Sequence, residues 1–163
     1  MLKRTLLLTV IATGAHAIES PIVGNVESAC SIYTTTEGVY GTASIDELST
    51  SASAGGVKPV VRIDTTQAGS YIGKITTPTS FSSSPTLNDA LNWTGDVNVK
   101  QVSDPLMADY DTDKVTYDQT HEYDLTVSGS VWLEIDSSVT YGVGKALPGG
   151  QYVAKIMAEC IPK

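Results

Sequence analysis

The sequence predicts an all-β protein: a single antiparallel β-sandwich of about seven strands. Apolar residues recur with a period of two, and no long stretch shows the 3.6-residue period of an amphipathic helix. Thr, Ser, Val and Tyr, which suit a pleated surface, are abundant, with eight Tyr in 163 residues. Clusters of Gly, Pro and Ser punctuate the alternating stretches, as turns between short strands do.

The first element is not a strand. Lys3 and Arg4 form a basic head, Leu6, Leu7, Leu8, Val10 and Ile11 a short apolar stretch, and Ala15-His16-Ala17 an A-x-A cleavage site. This pattern is that of a secretory signal peptide over residues 1–17, and it predicts export to the periplasm, the cell surface or the medium. An arm, residues 18–26, and a β-sandwich domain, residues 27–163, follow. In the arm Ile22, Gly24 and Val26 alternate with Val23, Asn25 and Glu27. A short alternating segment of this kind can add to another protein's sheet edge.

The first strand is expected over Val23 to Tyr33, with Val26, Ser28, Cys30 and Ile32 on one face. The second, Val57 to Ile63, contains Pro59, which argues for an edge position. The third is Ser70 to Thr76. The fourth, Asp96 to Val102, places Val97, Val99 and Gln101 on one side. Lys114 to Asp118 is a short fifth. Glu122 to Ile135 is the longest, and its odd-numbered set Tyr123, Leu125, Val127, Val131, Leu133 and Ile135 is apolar. Gly129 within it marks a bend where the chain passes between two sheets. The seventh strand, Gln151 to Ile161, follows the turn Leu147-Pro148-Gly149-Gly150, with Tyr152, Ala154, Ile156, Ala158 and Cys160 facing inward. Thr42 to Gly56 and Thr77 to Trp93 read as long loops, the second with one helical turn near Leu87 and Leu91.

The whole chain carries a formal charge of −8; without residues 1–17 it keeps eight basic and eighteen acidic residues, a net of −10. Such a surface repels nucleic acid and anionic lipid, which both need a basic face. No apolar run after Ala17 approaches the ~20 residues of a membrane span. The two cysteines, Cys30 and Cys160, are expected to bond in an oxidising compartment, the alternative being two separate buried thiols. Their bridge would close a loop of about 130 residues, worth ~4–5 kcal/mol at most by chain entropy.

Little in the chain reads as catalytic, and no enzyme is expected. One histidine, His121, remains after the signal, no G-x-S-x-G elbow occurs, and zinc would need more imidazole or thiolate. No cofactor is expected apart from calcium: Asp109, Asp111 and Asp113 alternate in a way that can aim several carboxylates at one hard cation. The position where an EF-hand needs glycine is Lys114, however, so a solvated acidic loop is the plainer reading. Trp93 and Trp132 can either cover the core or stack on sugar rings. Asn92-Trp93-Thr94 matches an N-glycosylation sequon.

The leader followed by the arm Ile22-Val23-Gly24-Asn25-Val26, the early Cys30, and Leu147-Pro148-Gly149-Gly150-Gln151-Tyr152 ahead of the last strand resemble bacterial pilin-like secreted subunits, chiefly the archaic chaperone–usher and spore-coat-U-like class. The resemblance implies an incomplete immunoglobulin-like sandwich, in which the arm of one subunit fills the groove of the next. It also implies a periplasmic chaperone, an outer-membrane usher, and self-association or related subunits as partners. The expected function is that of a non-catalytic structural subunit of a surface fibre, pilus or coat. The alternative is a secreted binding module for glycan or calcium.

Overall fold

The structure, a computed structural model, describes residues 23–142 and 144–163. The expected signal peptide and residues 18–22 of the arm, Ile22 among them, lie outside the described residues. Among the described residues there are twelve strands: β1 Cys30–Thr36, β2 Gly41–Ser44, β3 Glu47–Ser49, β4 Val60–Thr65, β5 Tyr71–Thr76, β6 Phe81–Ser83, β7 Leu91–Val102, β8 Val115–Tyr117, β9 Thr120–Asp124, β10 Gly129–Tyr141, β11 Val153–Ala154 and β12 Met157–Pro162. One helical turn, α1, spans Tyr110–Asp113.

β10 is the spine of the larger sheet. β7 pairs with it from Leu91 to Val102 along one edge. On the other edge β4 takes its first half and β3 its second, with β1 beyond β4 and β2 beyond β3. The second sheet has the order β12-β5-β9-β8, and β11 pairs with β6 alone. The ladders are antiparallel and neither sheet closes into a barrel. The architecture is therefore mostly β, and compatible with a sandwich.

One core lies between the two sheets. Val61, Ile63, Val97, Val131, Leu133 and Ile135 enter it from the larger sheet, and Ile75 and Tyr123 from the smaller. Burial of each such aliphatic side chain contributes about 1.5–3 kcal/mol. The apolar alternation of residues 123–135 survives a break in the strand. β9 ends at Asp124 in the smaller sheet, the chain crosses over residues 125–128, and β10 begins at Gly129 in the larger one. Both inner faces look at the same core, so the odd-numbered set stays inside throughout. Gly129 sits at φ 142°, where a Cβ would lie 2.5 Å from Ser103 Oγ. The bend expected there is present.

Several expectations need correction. The expected strands Glu122–Ile135 and Gln151–Ile161 are each split in two, the expected first strand begins only at Cys30, and β2, β3 and β6 occupy segments read as loops. Only Leu48 among the ten residues of those three strands is a buried apolar side chain, so no alternation marked them. The helical turn expected near Leu87 is absent; Leu91 opens β7 instead. Pro59 does not mark an edge. It stands one residue before β4, which lies between β1 and β10, and its carbonyl accepts from the Ile135 amide. Gln101 does not share the Val97 face either. The β7–β10 register shifts at Lys100, and this bulge returns Val102 to the core and turns Gln101 outward.

Candidate functional site

The two long sides of the fold differ. On the β7/β8 side, residues 103–114 seal the core. Met107 and Tyr110 are buried there, and the Tyr110 hydroxyl accepts from the Val127 amide at 3.1 Å. The outer edge of β7 is closed in the same way: the Val99 amide donates to both Asp111 carboxylate oxygens at 2.8 and 2.9 Å. The Tyr123 hydroxyl donates to the Val97 carbonyl at 2.7 Å.

The β1/β12 side is open. β1 pairs only with β4 and β12 only with β5, so each presents a free edge among the described residues. Ile32, Ile156 and Ala158 face inward but are only half-buried, whereas Ile63, Ile75 and Leu133 on the central strands are fully covered. The alternation read for the last strand therefore holds: Tyr152, Ala154, Ile156, Ala158 and Cys160 form its inner set. The Cys30–Cys160 disulfide ties the two edges together at one end, with a Cα–Cα distance of 6.1 Å. This is the bridge the sequence led us to expect.

At the other end the same side widens into a cavity of about 650 Å³. Tyr40, Leu48, Pro59, Tyr152 and Ile156 supply its apolar lining. Tyr40 and Ser137 bond through their hydroxyls at 2.8 Å, and burial raises the Tyr40 phenol above its ordinary pKa although that bond opposes the rise. The described part of the arm stands at the disulfide end. Val23 and Val26 are 89 % and 81 % exposed, and a Cβ on Gly24 would meet nothing within 4 Å. The chain is first tied down at Glu27, whose carbonyl accepts from the Thr66 hydroxyl at 2.9 Å.

The acidic loop places its carboxylates apart. Asp109 precedes α1, Asp111 binds the Val99 amide, and Asp113 is exposed at the end of the turn. Lys114 supplies the cation at this corner: its ammonium donates to the Val97 carbonyl and to Asn98 Oδ1 at 3.0 Å, with Asp96 Oδ1 at 3.3 Å. Burial works against ionisation of Asp96, yet its bonds from Asn98 and the Val97 amide and the nearby ammonium outweigh it and hold its carboxyl below the usual value. No group of three His, Cys, Asp or Glu side chains gathers as a metal site among the described residues.

His121 lies behind this corner and is 2 % exposed. Its Nδ1 is 3.1 Å from Thr116 Oγ1, and its Nε2 has no partner. The two tryptophans part company. Trp93 packs on Phe81, ring centroids 4.8 Å apart, in a cluster that also holds Tyr40 and Tyr152. Trp132 lies on the outer face of the larger sheet beside Arg62. Sequence reasoning missed Arg62 and Tyr33 as its neighbours, since only strand register brings them together.

Comparison with protein-family models, with curated proteins and with solved structures finds no match to this chain. No helix among the described residues is long and apolar enough to cross a membrane.

Proposed function

We propose that this protein is an exported structural subunit of a surface fibre, pilus or coat, joined to its neighbours by strand donation. The observation that carries the reading is the open β1/β12 side, with its half-buried inner set and its cavity, beside an arm whose described residues, Val23 to Val26, stand exposed. Six strands have the neighbours of an immunoglobulin-like sandwich: β1-β4-β10-β7 matches strands A, B, E and D, and β5-β12 matches C and F, while β8 and β9, which lie between D and E in the chain, extend the C side and β3 and β2 are added beside β10. No strand takes the place of G among the described residues. Export through residues 1–17 would supply the oxidising compartment in which Cys30 and Cys160 bond.

β1 runs away from the disulfide and β12 runs towards it. The arm enters at the disulfide end, so folded back over its own groove it would lie antiparallel to β1 and parallel to β12. An arm from a second copy is free to run in the opposite sense, antiparallel to β12, as strand G runs beside strand F in an immunoglobulin-like sandwich. A periplasmic chaperone would shield the open side until a neighbouring subunit fills it.

The test is size-exclusion chromatography with light scattering on the oxidised chain from Ile18. We expect concentration-dependent oligomers. Deletion of residues 18–26 should give a monomer that binds a synthetic peptide of those residues. A chain that stays monomeric with its arm intact, or an arm-deleted monomer that ignores the peptide, would overturn the proposal.

A further inference from the structure

The outer face of the larger sheet carries a row that the strand-donation reading does not use. Tyr33 on β1 stands opposite Arg62 on β4, Arg62 opposite Trp132 on β10, and Trp132 opposite Gln101 on β7. Four strands thus place an aromatic ring, a guanidinium, a second aromatic ring and a carboxamide in one line. At ~4.8 Å between strands, the two aromatic residues are about 10 Å apart. The Arg62 guanidinium lies 4.7 Å from the Tyr33 ring centroid and 5.8 Å from that of Trp132. Gln101 joins this line only because of the bulge at Lys100, which turns it out of the core. Bulges commonly re-aim a side chain in this way at functional surfaces.

The charges around the row cancel. Arg62 pairs with Asp64, Lys58 with Asp136 and Glu134, and Lys100 with Glu134. Three cations meet three anions on this face, whereas the chain as a whole carries −8. A locally neutral patch on an acidic protein matches a neutral ligand. The Arg62–Asp64 pair is made through Nη2 and Oδ2, at 2.8 Å, and leaves the buried Arg62 Nε and Asp64 Oδ1 without partners. The row is also narrow and flanked by ion pairs, unlike the apolar centre of a protein–protein interface.

We infer that Tyr33, Arg62, Trp132 and Gln101 form a binding face for a neutral polysaccharide. Sugar rings would lie against the two aromatic side chains, and their hydroxyls would bond to the guanidinium and the carboxamide. The aromatic spacing calls for an oligosaccharide rather than a single sugar. This face is separate from the β1/β12 groove, so the inference does not rest on strand donation.

The test is titration calorimetry of the oxidised chain from Ile18 with cellohexaose, chitohexaose and maltohexaose. At least one should bind, with little change between low and high salt because no net charge is matched. Trp132→Ala and Tyr33→Ala should each weaken that binding by about tenfold or more. Tyr33 is half-exposed, so its loss tests the row even if Trp132→Ala disturbs folding. Absence of binding to all three sugars, or unchanged binding in Tyr33→Ala and in a folded Trp132→Ala, would overturn the inference. So would a Trp132→Ala chain that loses self-association while neither form binds sugar, which would make the row a protein contact.

Discussion

His121 is buried with one ring nitrogen unpartnered, and this fixes how the protein responds to mild acid. Burial lowers its pKa below the ordinary 6.5; the Asp96 carboxylate opposes that shift and the Lys114 ammonium adds to it. The unfolded chain therefore takes up the proton more readily than the folded one. The stability tied to neutral His121 is fully present above about pH 6.5 and is lost as pH falls towards the folded-state pKa. We expect the melting temperature to drop between about pH 7.5 and pH 5, and His121→Gln to flatten that drop. Asp96, whose carboxyl is held below 3.8, acts in a separate and more acid window. A second residue-scale prediction concerns the β8–β9 turn. Asp118 and Gln119 both have positive φ, 43° and 63°, where Asn-Gly or Asp-Gly is usual. Asp118 suits its place, and Gln119 is held by its bond from Thr77. Asp118→Ala should lower stability by ~0.5–1 kcal/mol in denaturant titrations, since alanine lacks the short polar side chain that suits the left-handed region.

At the scale of elements, the segment 103–114 does for one side of the core what no described segment does for the other. Tyr110 both fills the core and caps the Val127 amide where the chain crosses between sheets. Tyr110→Phe keeps the ring and strands that amide, so it should cost about 1–2 kcal/mol by chemical unfolding. The elements also show what the sequence made legible. β4, β5, β7 and the β9–β10 run were readable because each keeps several apolar residues on one face. β2 and β3 were not, because a strand of three or four residues with one buried side chain has no period to detect. Gln101 was placed on the wrong face for a different reason. A bulge shifts the phase of alternation, and nothing local to Val99-Lys100-Gln101 announces it.

For the whole molecule, the disulfide is the only covalent tie between the first and last strands of the two sheets. Each of these strands has one neighbour among the described residues, so the bond supplies much of what a second neighbour would. Cys30→Ser with Cys160→Ser should cost roughly 2–5 kcal/mol, read from denaturant midpoints. Hydrogen exchange should rise first along β12, since it lies on the open side and has only β5 beside it. The candidate site was half-legible from sequence. The cysteine pair and the inner set of the last strand could be read from residue type and alternation. The cavity, the sealed opposite side and the Tyr33–Arg62–Trp132–Gln101 row could not, because each joins residues far apart in the chain.

The sequence by itself determined the β class, the two-sheet crossing near Gly129 and the pairing of the cysteines. Those follow from which residues alternate, from where glycine interrupts them, and from there being only two thiols in the chain. Tertiary structure alone decided which edges stay free, which face of each strand meets solvent, and that Lys114 supplies the cation beside the acidic loop. These are matters of register and of packing between distant segments, and a local pattern carries no record of its partner.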